Sequence, residues 1–179
     1  YSICINDYSN EFFIKFTQKL NQIAQLNHPA FIKFIGYSPT NFKNKPYPII
    51  ITENVSNSTL LNLIGSKLND TTKLIILYGL ASALAYSHSH DILYQNLKPR
   101  LILLNEYLFP KILTLNMQEE VDILEGNEED ENELPIQLNS GVEYKAPEVL
   151  SKLEFSCASD VYSYAIIAYE LISDEFVNQ

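Results

Sequence analysis

The sequence predicts an α+β fold, in which helices and strands lie in separate parts of the chain. One helical pattern and two strand-like runs come first, and the rest of the chain is mostly helical, without alternating strand–helix repeats. The chain has 179 residues, of which 46% are hydrophobic. It can therefore bury a core, as one compact domain or as two small lobes.

The first segments predict one helix followed by a β-hairpin. Residues 9–26 carry apolar side chains at helical spacing, and Pro29 stops the helix. The members of this apolar face are Phe13, Phe16, Leu20 and Ile23. Residues 31–38 and 47–55 are strand-like, and the polar turn at 38–46 is rich in Pro, Asn and Lys. Two strands joined in this way predict a hairpin.

The middle of the chain predicts two helices and two short strands. The stretch "SNST" offers N-cap side chains to a short helix at 60–68, and "NDTT" caps a long apolar helix at 71–90. Short strands are expected near 101–104 and 111–115, around a turn. The apolar run at 74–86 covers thirteen residues, which is too short to span a bilayer.

The last third of the chain contains an acidic segment and a final helix. Residues 116–140 show no periodicity and contain no Lys or Arg. The stretch "QEEVDILEGNEEDENELP" holds nine of the 22 acidic residues. After "GVEYKAPEVL", residues 157–173 predict a helix with a broad apolar face. That face comprises Val161, Tyr164, Ala165, Ala168, Tyr169 and Ile172.

Charge and cysteine content exclude several classes of function. The net charge is -10, and the twelve basic residues include a single Arg and form no cluster, so neither nucleic acid nor an anionic membrane surface is an expected partner. Cys4 and Cys157 lie far apart, without a signal-peptide pattern, which favours a reducing, cytoplasmic setting. Because no His/Cys cluster is present, no metal site is expected.

Several short motifs occur in an order that is known from one family. The stretch "YQNLKPRLILLN" resembles H-R-D-L-K-P-x-N-I-L-L, and "KILTLN" resembles K-I-x-D-F-G. "LNHPAFIKFIGYS", "IITENVSNSTL", "APE" and "SDVYSYAIIAYEL" resemble four further segments of the same family in register. The chain is identified as similar to the eukaryotic protein kinases. Its motifs are most like those of the tyrosine-kinase-like branch of the Ser/Thr kinases.

This resemblance implies a partial two-lobe kinase-like fold. Residues 1–53 would form a small-lobe remnant, with one helix and the hairpin, that is truncated at its N-terminus. Residues 54–179 would form a helical large lobe, truncated after the helix at 157–173, with an acidic activation-segment-like loop at 114–148.

The positions that carry catalysis in the family are replaced in this chain. The catalytic-loop Asp, which accepts the substrate's proton, falls on Asn96, whose amide cannot act as a base. The two magnesium ligands fall on Leu101 and Thr114, and neither residue offers a carboxylate or amide oxygen to a hard cation. Of the catalytic loop's functional side chains, Lys98 is kept. Gln95 replaces the Arg that receives an activation-loop phosphate.

The ion pair that holds ATP phosphates in the family is also missing. The helix Glu falls near Lys19, and the strand Lys falls near Cys4 or Ile5. The glycine-rich phosphate loop would precede Tyr1. No resident cofactor and no magnesium are therefore expected.

Other implied positions are structural or belong to the nucleotide hinge. Asp160 matches an Asp that hydrogen-bonds the catalytic-loop backbone, and Glu148 matches the Glu of "APE", whose Arg partner would lie beyond Gln179. Thr52 would be the gatekeeper, with the hinge at Glu53 to Val55. Since hinge contacts to adenine come from the backbone, weak, metal-independent binding of ATP is compatible with this sequence.

For two features, alternative interpretations stay open. Lys98 is either a remnant phosphate contact or a lysine in a solvated loop. The acidic segment is a solvated loop, a docking segment for a basic partner, or a plug across the vacant cleft. Within the loop from Thr114 to Asn139 no hydroxyl follows Thr114, so Ser140 and Tyr144 are the nearest candidates for phosphorylation.

The leading hypothesis is a catalytically impaired kinase homologue, a pseudokinase, that acts as a protein-interaction or allosteric module. The alternatives are an active ATP-dependent Ser/Thr kinase with an unusual site or with missing parts supplied by the rest of the chain, and a relic without function.

Overall fold

The computed structural model describes residues 10–40, 42–43, 49–55, 58–112 and 141–177. The first helix, α1, spans Asn10–Gln25 and ends ahead of Pro29. Strands β1 (Phe34–Ser38) and β2 (Ile49–Thr52) then pair antiparallel. The predicted helix and hairpin are thus confirmed, with the strands shorter than expected.

The first part of the predicted strand at 31–38 pairs elsewhere. Phe31 forms a parallel bridge with Ile112, and Ile112 N donates to Ala30 O at 2.6 Å. Ile32 N in turn donates to Ile112 O at 3.1 Å. The chain at 30–32 therefore joins the hairpin to a second sheet.

The second sheet contains three short antiparallel strands. Strand β3 (Ser58–Thr59) pairs with β4 (Ile102–Leu104), which pairs with β5 (Pro110–Ile112). The sequence patterns predicted β4 and β5 but missed β3, which is only two residues long.

The predicted helix at 60–68 is wrong. Only a 3₁₀ turn forms there, at Leu60–Asn62, and the side chain of Thr59 accepts no capping hydrogen bond from its backbone. Gly65 (φ 85°) and Lys67 (φ 54°) take left-handed backbone conformations, which end a right-handed helix.

Two long antiparallel helices form the centre of the molecule. Helix α2 spans Asp70–Ser89, and its N-cap Asn69 accepts a hydrogen bond from Thr72 N, as the "NDTT" pattern predicted. A short helix α3 (Pro147–Lys152) precedes α4 (Cys157–Ser173), which begins with a Ser156–Ser159 capping box. The start of α2 is tied to the end of α4 by an ion pair of 2.8 Å between Lys73 Nζ and Asp174 Oδ2.

The apolar core lies between α2, α4 and the second sheet. Its largest fully buried apolar side chains are Leu60, Ile76, Leu80, Leu97, Ile102, Leu104, Ile112, Ile167 and Leu171. Both sheets are small and antiparallel, and none of the described helices is a crossover between parallel strands, which confirms the predicted α+β class.

The predicted apolar face of α4 is wrong. All six of its residues are exposed or only partly buried, and the buried side chains of α4 include four polar ones. Those four are Ser159, Asp160, Ser163 and Glu170. Each has hydrogen-bond partners inside the protein, which offset the cost of removing it from water.

Candidate functional site

The loop that resembles a catalytic loop connects α2 to β4. It runs from residue 92 to Lys98 and continues into a 3₁₀ turn at Pro99–Leu101. Leu97 and Pro99 are buried and turn toward the core. Leu97 and Pro99 flank Lys98, and their burial fixes the loop against the core.

Asp160, in the first turn of α4, holds this loop by its backbone. Asp160 Oδ2 accepts from Tyr94 N at 2.8 Å, and Oδ1 accepts from Gln95 N at 2.7 Å. Oδ2 also lies 2.9 Å from His88 Nε2, at the end of α2. The carboxylate is 1% exposed and sits in the first turn of α4, at the positive end of the helix dipole.

Gln95 shows why such an anchor is needed. Its φ of 68° is left-handed, a conformation that costs a non-glycine residue about 1–2 kcal/mol. The hydrogen bond from Gln95 N to the Asp160 carboxylate helps to offset that strain.

Two of the three replaced catalytic positions lie in this loop. Asn96 is partly buried, and its amide cannot take a proton from a substrate hydroxyl. Leu101 is buried in the 3₁₀ turn and presents only carbon atoms. Thr114, the third position, and Ser140 lie outside the described residues, as do the phosphate-pair positions near Cys4 and Ile5.

Lys98 is not in a solvated loop, so that interpretation is wrong. The residue is only 3% exposed. Gly141 (φ 76°) lies over its stem, since a Cβ on Gly141 would stand 3.4 Å from Lys98 Cδ. The backbone at Gly141 therefore covers the stem of Lys98.

The predicted gatekeeper and hinge residues lie at the end of β2 and directly after it. Thr52 ends the strand opposite Phe34, and both Thr52 and Val55 are partly buried. Glu53 N donates to Lys33 O at 2.9 Å, while Glu53 Oε1 accepts from Lys33 N at 2.9 Å and from Lys111 Nζ at 2.8 Å. Glu53 thus links the residue that precedes β1 to strand β5.

The ionisation of Glu53 follows from these contacts. Partial burial acts to raise the pKa of this carboxyl group. The hydrogen bonds from Lys111 and from the Lys33 backbone, together with the charges of both lysines, outweigh burial and lower the pKa. Glu53 is therefore held in its charged form.

The structure adds a buried pair that pattern reasoning missed. Tyr144 OH donates to Glu170, at 2.9 Å from Oε2, and Val177 N donates to Glu170 Oε1 at 3.0 Å. Glu170 is 0% exposed, and burial raises its pKa. The signal was a lone Glu inside an apolar helix, since such a carboxylate needs internal partners.

Tyr144 is consequently a poor candidate for phosphorylation, which corrects the expectation from its sequence position. Its ring is buried, and burial next to Glu170 raises the pKa of its phenol. Ser163 Oγ donates to Tyr144 O at 2.6 Å, so α4 holds this segment through backbone as well as side chain. Glu148 lies nearby, partly buried in the first turn of α3.

The described part of the chain has neither a metal-type side-chain cluster nor a membrane-spanning helix. No group of three or more His, Cys, Asp or Glu side chains in the described ranges could hold a metal ion. Among the helices described, none is both long and apolar enough to cross a membrane.

Comparison with known proteins is consistent with this geometry. The family model for protein tyrosine and serine/threonine kinases matches residues 3–176. The human cytoplasmic tyrosine-protein kinase BMX is 29% identical over 89% of the chain and 22% of its own length. The serine/threonine-protein kinase PknB of Mycolicibacterium smegmatis is 25% identical over 92% of the chain and 26% of its own length.

A third relative is the spermatocyte protein spe-8 of Caenorhabditis briggsae, which is 30% identical over 90% of the chain and 29% of its own length. The chain thus spans less than a third of the length of these three curated relatives. They include both tyrosine and Ser/Thr kinases, so the assignment to the tyrosine-kinase-like branch stays a prediction. The family model covers nearly the whole chain, and on that ground the chain belongs to the protein kinase family.

Proposed function

We propose that this chain is a catalytically impaired kinase homologue that works as a protein-interaction or allosteric module. The main support is that the loop scaffold is complete while its chemistry is missing. Asp160 holds the backbone at Tyr94 and Gln95, yet Asn96 and Leu101 offer neither a base nor a metal ligand.

Magnitudes favour impairment over slow catalysis. Loss of a general base costs about 10²- to 10⁴-fold in rate, and loss of transition-state charge stabilisation costs a further 10²- to 10³-fold or so. These factors do not simply multiply, because groups that act as a unit fail together. Even so, little phosphoryl transfer would be left.

Nucleotide binding through the hinge backbone belongs to the proposal in a weak, metal-independent form. Backbone contacts at 53–55 do not depend on which side chains are present. No resident cofactor is part of the proposal, and magnesium is not expected because its ligand positions hold Leu101 and Thr114.

A thermal-shift titration with ATP, with and without magnesium, tests the proposal. A ligand at 100 times its dissociation constant adds about 2.7 kcal/mol of stability. We expect little or no shift, with no dependence on magnesium. An active protein kinase assayed in parallel serves as the positive control. A magnesium-dependent shift together with phosphate transfer to a peptide would overturn the proposal.

The partner that we propose is a basic protein, because the acidic segment would attract positive charge. Nucleic acid and membrane are not part of the proposal. The nine acidic residues of the segment stand without a basic neighbour. Replacing them with Asn and Gln should abolish salt-sensitive binding of an oligolysine probe. A variant that scrambles residues 118–133 keeps the charge and is the matched control. Equal binding by the neutralised and the scrambled variants would exclude charge-driven docking.

The second candidate is an active Ser/Thr kinase whose missing parts are supplied by a longer protein to which these 179 residues belong. The likeness to PknB, which is named a serine/threonine-protein kinase, favours it. Transfer of phosphate to a peptide by the full-length protein, but not by this chain alone, would support it. For either function we propose a cytoplasmic site of action, since both cysteines fit a reducing compartment.

A further inference from the structure

His28 closes the tight turn that follows α1. Phe31 N donates to His28 O at 3.0 Å, so residues 28–31 form a β-turn with Pro29 at its second position. The imidazole also takes part, because Ala30 N donates to His28 Nδ1 at 3.2 Å. Asn and Asp side chains commonly accept from the amide two residues on in this way, and here a histidine does so.

The 28–31 turn leads directly into the link between the hairpin and the second sheet. Ala30 O accepts from Ile112 N, and Phe31 forms the parallel bridge with the same residue. The backbone that ties the hairpin to β5 therefore begins inside this turn.

The same turn also contacts the end of α2. The His28 ring lies 5.3 Å from the Tyr86 ring, centroid to centroid, and Asn27 N donates to Tyr86 OH at 3.2 Å. The Phe31 ring meets the His28 ring edge-on, with centroids 6.1 Å apart. Because this packing partly buries the imidazole, the pKa of His28 is lowered from its ordinary value of 6.5.

The hydrogen bond at Nδ1 requires a neutral imidazole. A backbone N–H can only donate, so His28 Nδ1 must present its lone pair and the ring hydrogen sits on Nε2. A second proton would turn Nδ1 into a donor that faces the Ala30 N–H. Ala30 is 0% exposed, and a buried amide that loses its acceptor is costly. The closed turn therefore opposes the charged form of His28.

The neighbouring histidine on α2 behaves differently. The His90 ring lies 4.3 Å from the Tyr86 ring, but its Nδ1 is 2.8 Å from Tyr86 O, a group that only accepts. His90 therefore keeps that hydrogen bond when its ring is charged. The last turn of α1 has no charged side chain. The charged groups near this end of α2 and around β5 have other partners or lie in solvent: His88 with Asp160, Lys111 with Glu53, and the exposed Lys33 and Asp91.

We propose that His28 is a proton-operated switch of the 28–31 turn, which is closed when the imidazole is neutral and open when it is charged. Opening releases the Ala30 amide and loosens the backbone link between the hairpin and β5. Because burial lowers the pKa of His28, the turn is fully closed above pH 6.5 and opens as the pH falls through the pKa of the folded state. The switch depends on neither nucleotide binding nor kinase activity, so it stands apart from the proposed function.

Hydrogen exchange of single amides in this chain, expressed as protection relative to an unstructured chain at the same pH, tests the switch. Between about pH 7.5 and about pH 5, protection of the Ala30 and Ile112 amides should fall about fivefold, which corresponds to one hydrogen bond of about 1 kcal/mol. NMR of the His28 ring should show protonation over the same range. A ring that stays neutral at the lower pH, or a charged ring with unchanged protection, would overturn the switch.

His28→Asn is the matched variant, because an Asn side chain before Pro29 keeps an acceptor for the Ala30 amide but does not titrate. It should stay protected at both pH values, whereas His28→Ala should already show the low protection at the higher pH. His90→Gln should keep the wild-type response. The amides of α2 should remain slow throughout, which separates a local opening from acid unfolding. An equal response in His28→Asn, or a matching loss of protection along α2, would contradict the proposal.

Discussion

Asp160 combines three hydrogen bonds in one buried carboxylate. It receives the amides of Tyr94 and Gln95 and lies against His88 Nε2, so it joins α2, the loop and α4. Charge-assisted hydrogen bonds of this kind are stronger than neutral ones. The residue therefore stabilises the loop more than any single apolar contact there would.

Replacing Asp160 by Asn should lower the free energy of unfolding by about 3 kcal/mol. The new NH₂ group would face N–H donors, and buried unsatisfied donors cost about 1–3 kcal/mol each. Asp70→Asn is the matched control, because Asp70 also lies in the first turn of a helix but is exposed. Its loss should stay within about 1 kcal/mol. Chemical denaturation measures both, and equal losses would contradict the anchoring role.

Glu170 should make stability depend on pH. Burial raises its pKa above the ordinary 4.5, so the folded state holds the proton more tightly than the unfolded state does. The contribution of Glu170 to the free energy of unfolding should therefore be fully present below pH 4.5. It should be lost as the pH rises through the pKa of the folded state.

Two variants isolate this effect of Glu170. Glu170→Gln cannot ionise, so its stability relative to the wild type should improve from acid toward neutral pH. Tyr144→Phe removes a donor to the carboxylate and should make the fall with pH steeper. Denaturation midpoints across this range give the measurement. A difference between Glu170→Gln and the wild type that is constant with pH would show that Glu170 ionises alike in both states.

At the scale of elements, α2 packs closely on β5 at a glycine. A Cβ on Gly79 would overlap Cγ of Pro110 and lie 3.0 Å from its Cδ. The rigid proline ring cannot move aside as a flexible side chain could. Gly79 is thus the point where the backbone of α2 lies against the Pro110 ring of β5.

Gly79→Ala should lower the free energy of unfolding by about 1–3 kcal/mol, as overpacking does. Helix propensity alone predicts the opposite sign, a gain of about 1 kcal/mol. Ala85→Gly, at an exposed position of the same helix, is the control and should lose about 1 kcal/mol. Thermal unfolding separates the cases, and a more stable Gly79→Ala would show that the sheet moves away at no cost.

Sequence reasoning found most elements because helix spacing and hairpin turns are local signals. It placed α2 within a residue of its observed ends, and it anticipated the cap at Asn69. It failed where partners distant in sequence decide the structure. The inward turn of Ser163 and Glu170 depends on Tyr144, and the burial of Lys98 depends on Gly141. Strand β3 exists only because β4 lies beside it.

At the scale of the whole molecule, family membership was readable because several motifs occur in register along the chain. The chemistry of the site was readable only through that resemblance, position by position. Contacts such as Glu53 to Lys111 join residues far apart in sequence, and a pattern in one sequence does not reveal them. The family resemblance therefore predicted the fold and the site positions, and the structure showed which distant residues contact each other.

Restoring chemistry should require several positions at once. Asn96→Asp, Leu101→Asn and Thr114→Asp introduced together should give a magnesium-dependent thermal shift with ATP, because a base and both metal ligands then coexist. Each single replacement should give none, since the groups act as a unit. A folded triple variant that shows no shift would locate the defect at the phosphate-pair positions, and a shift with Asn96→Asp alone would contradict the metal-ligand argument.

The contact between Asp160 and the loop has a consequence for mutational drift. Asp160 binds main-chain amides, which every residue except proline supplies at Tyr94 and Gln95. Both donors belong to the main chain at residues 94 and 95, so a substitution at position 96 that removes reactivity leaves both donors in place. A gene can thus lose an enzyme's activity one codon at a time while its product continues to fold, and the shape stays available for other selection.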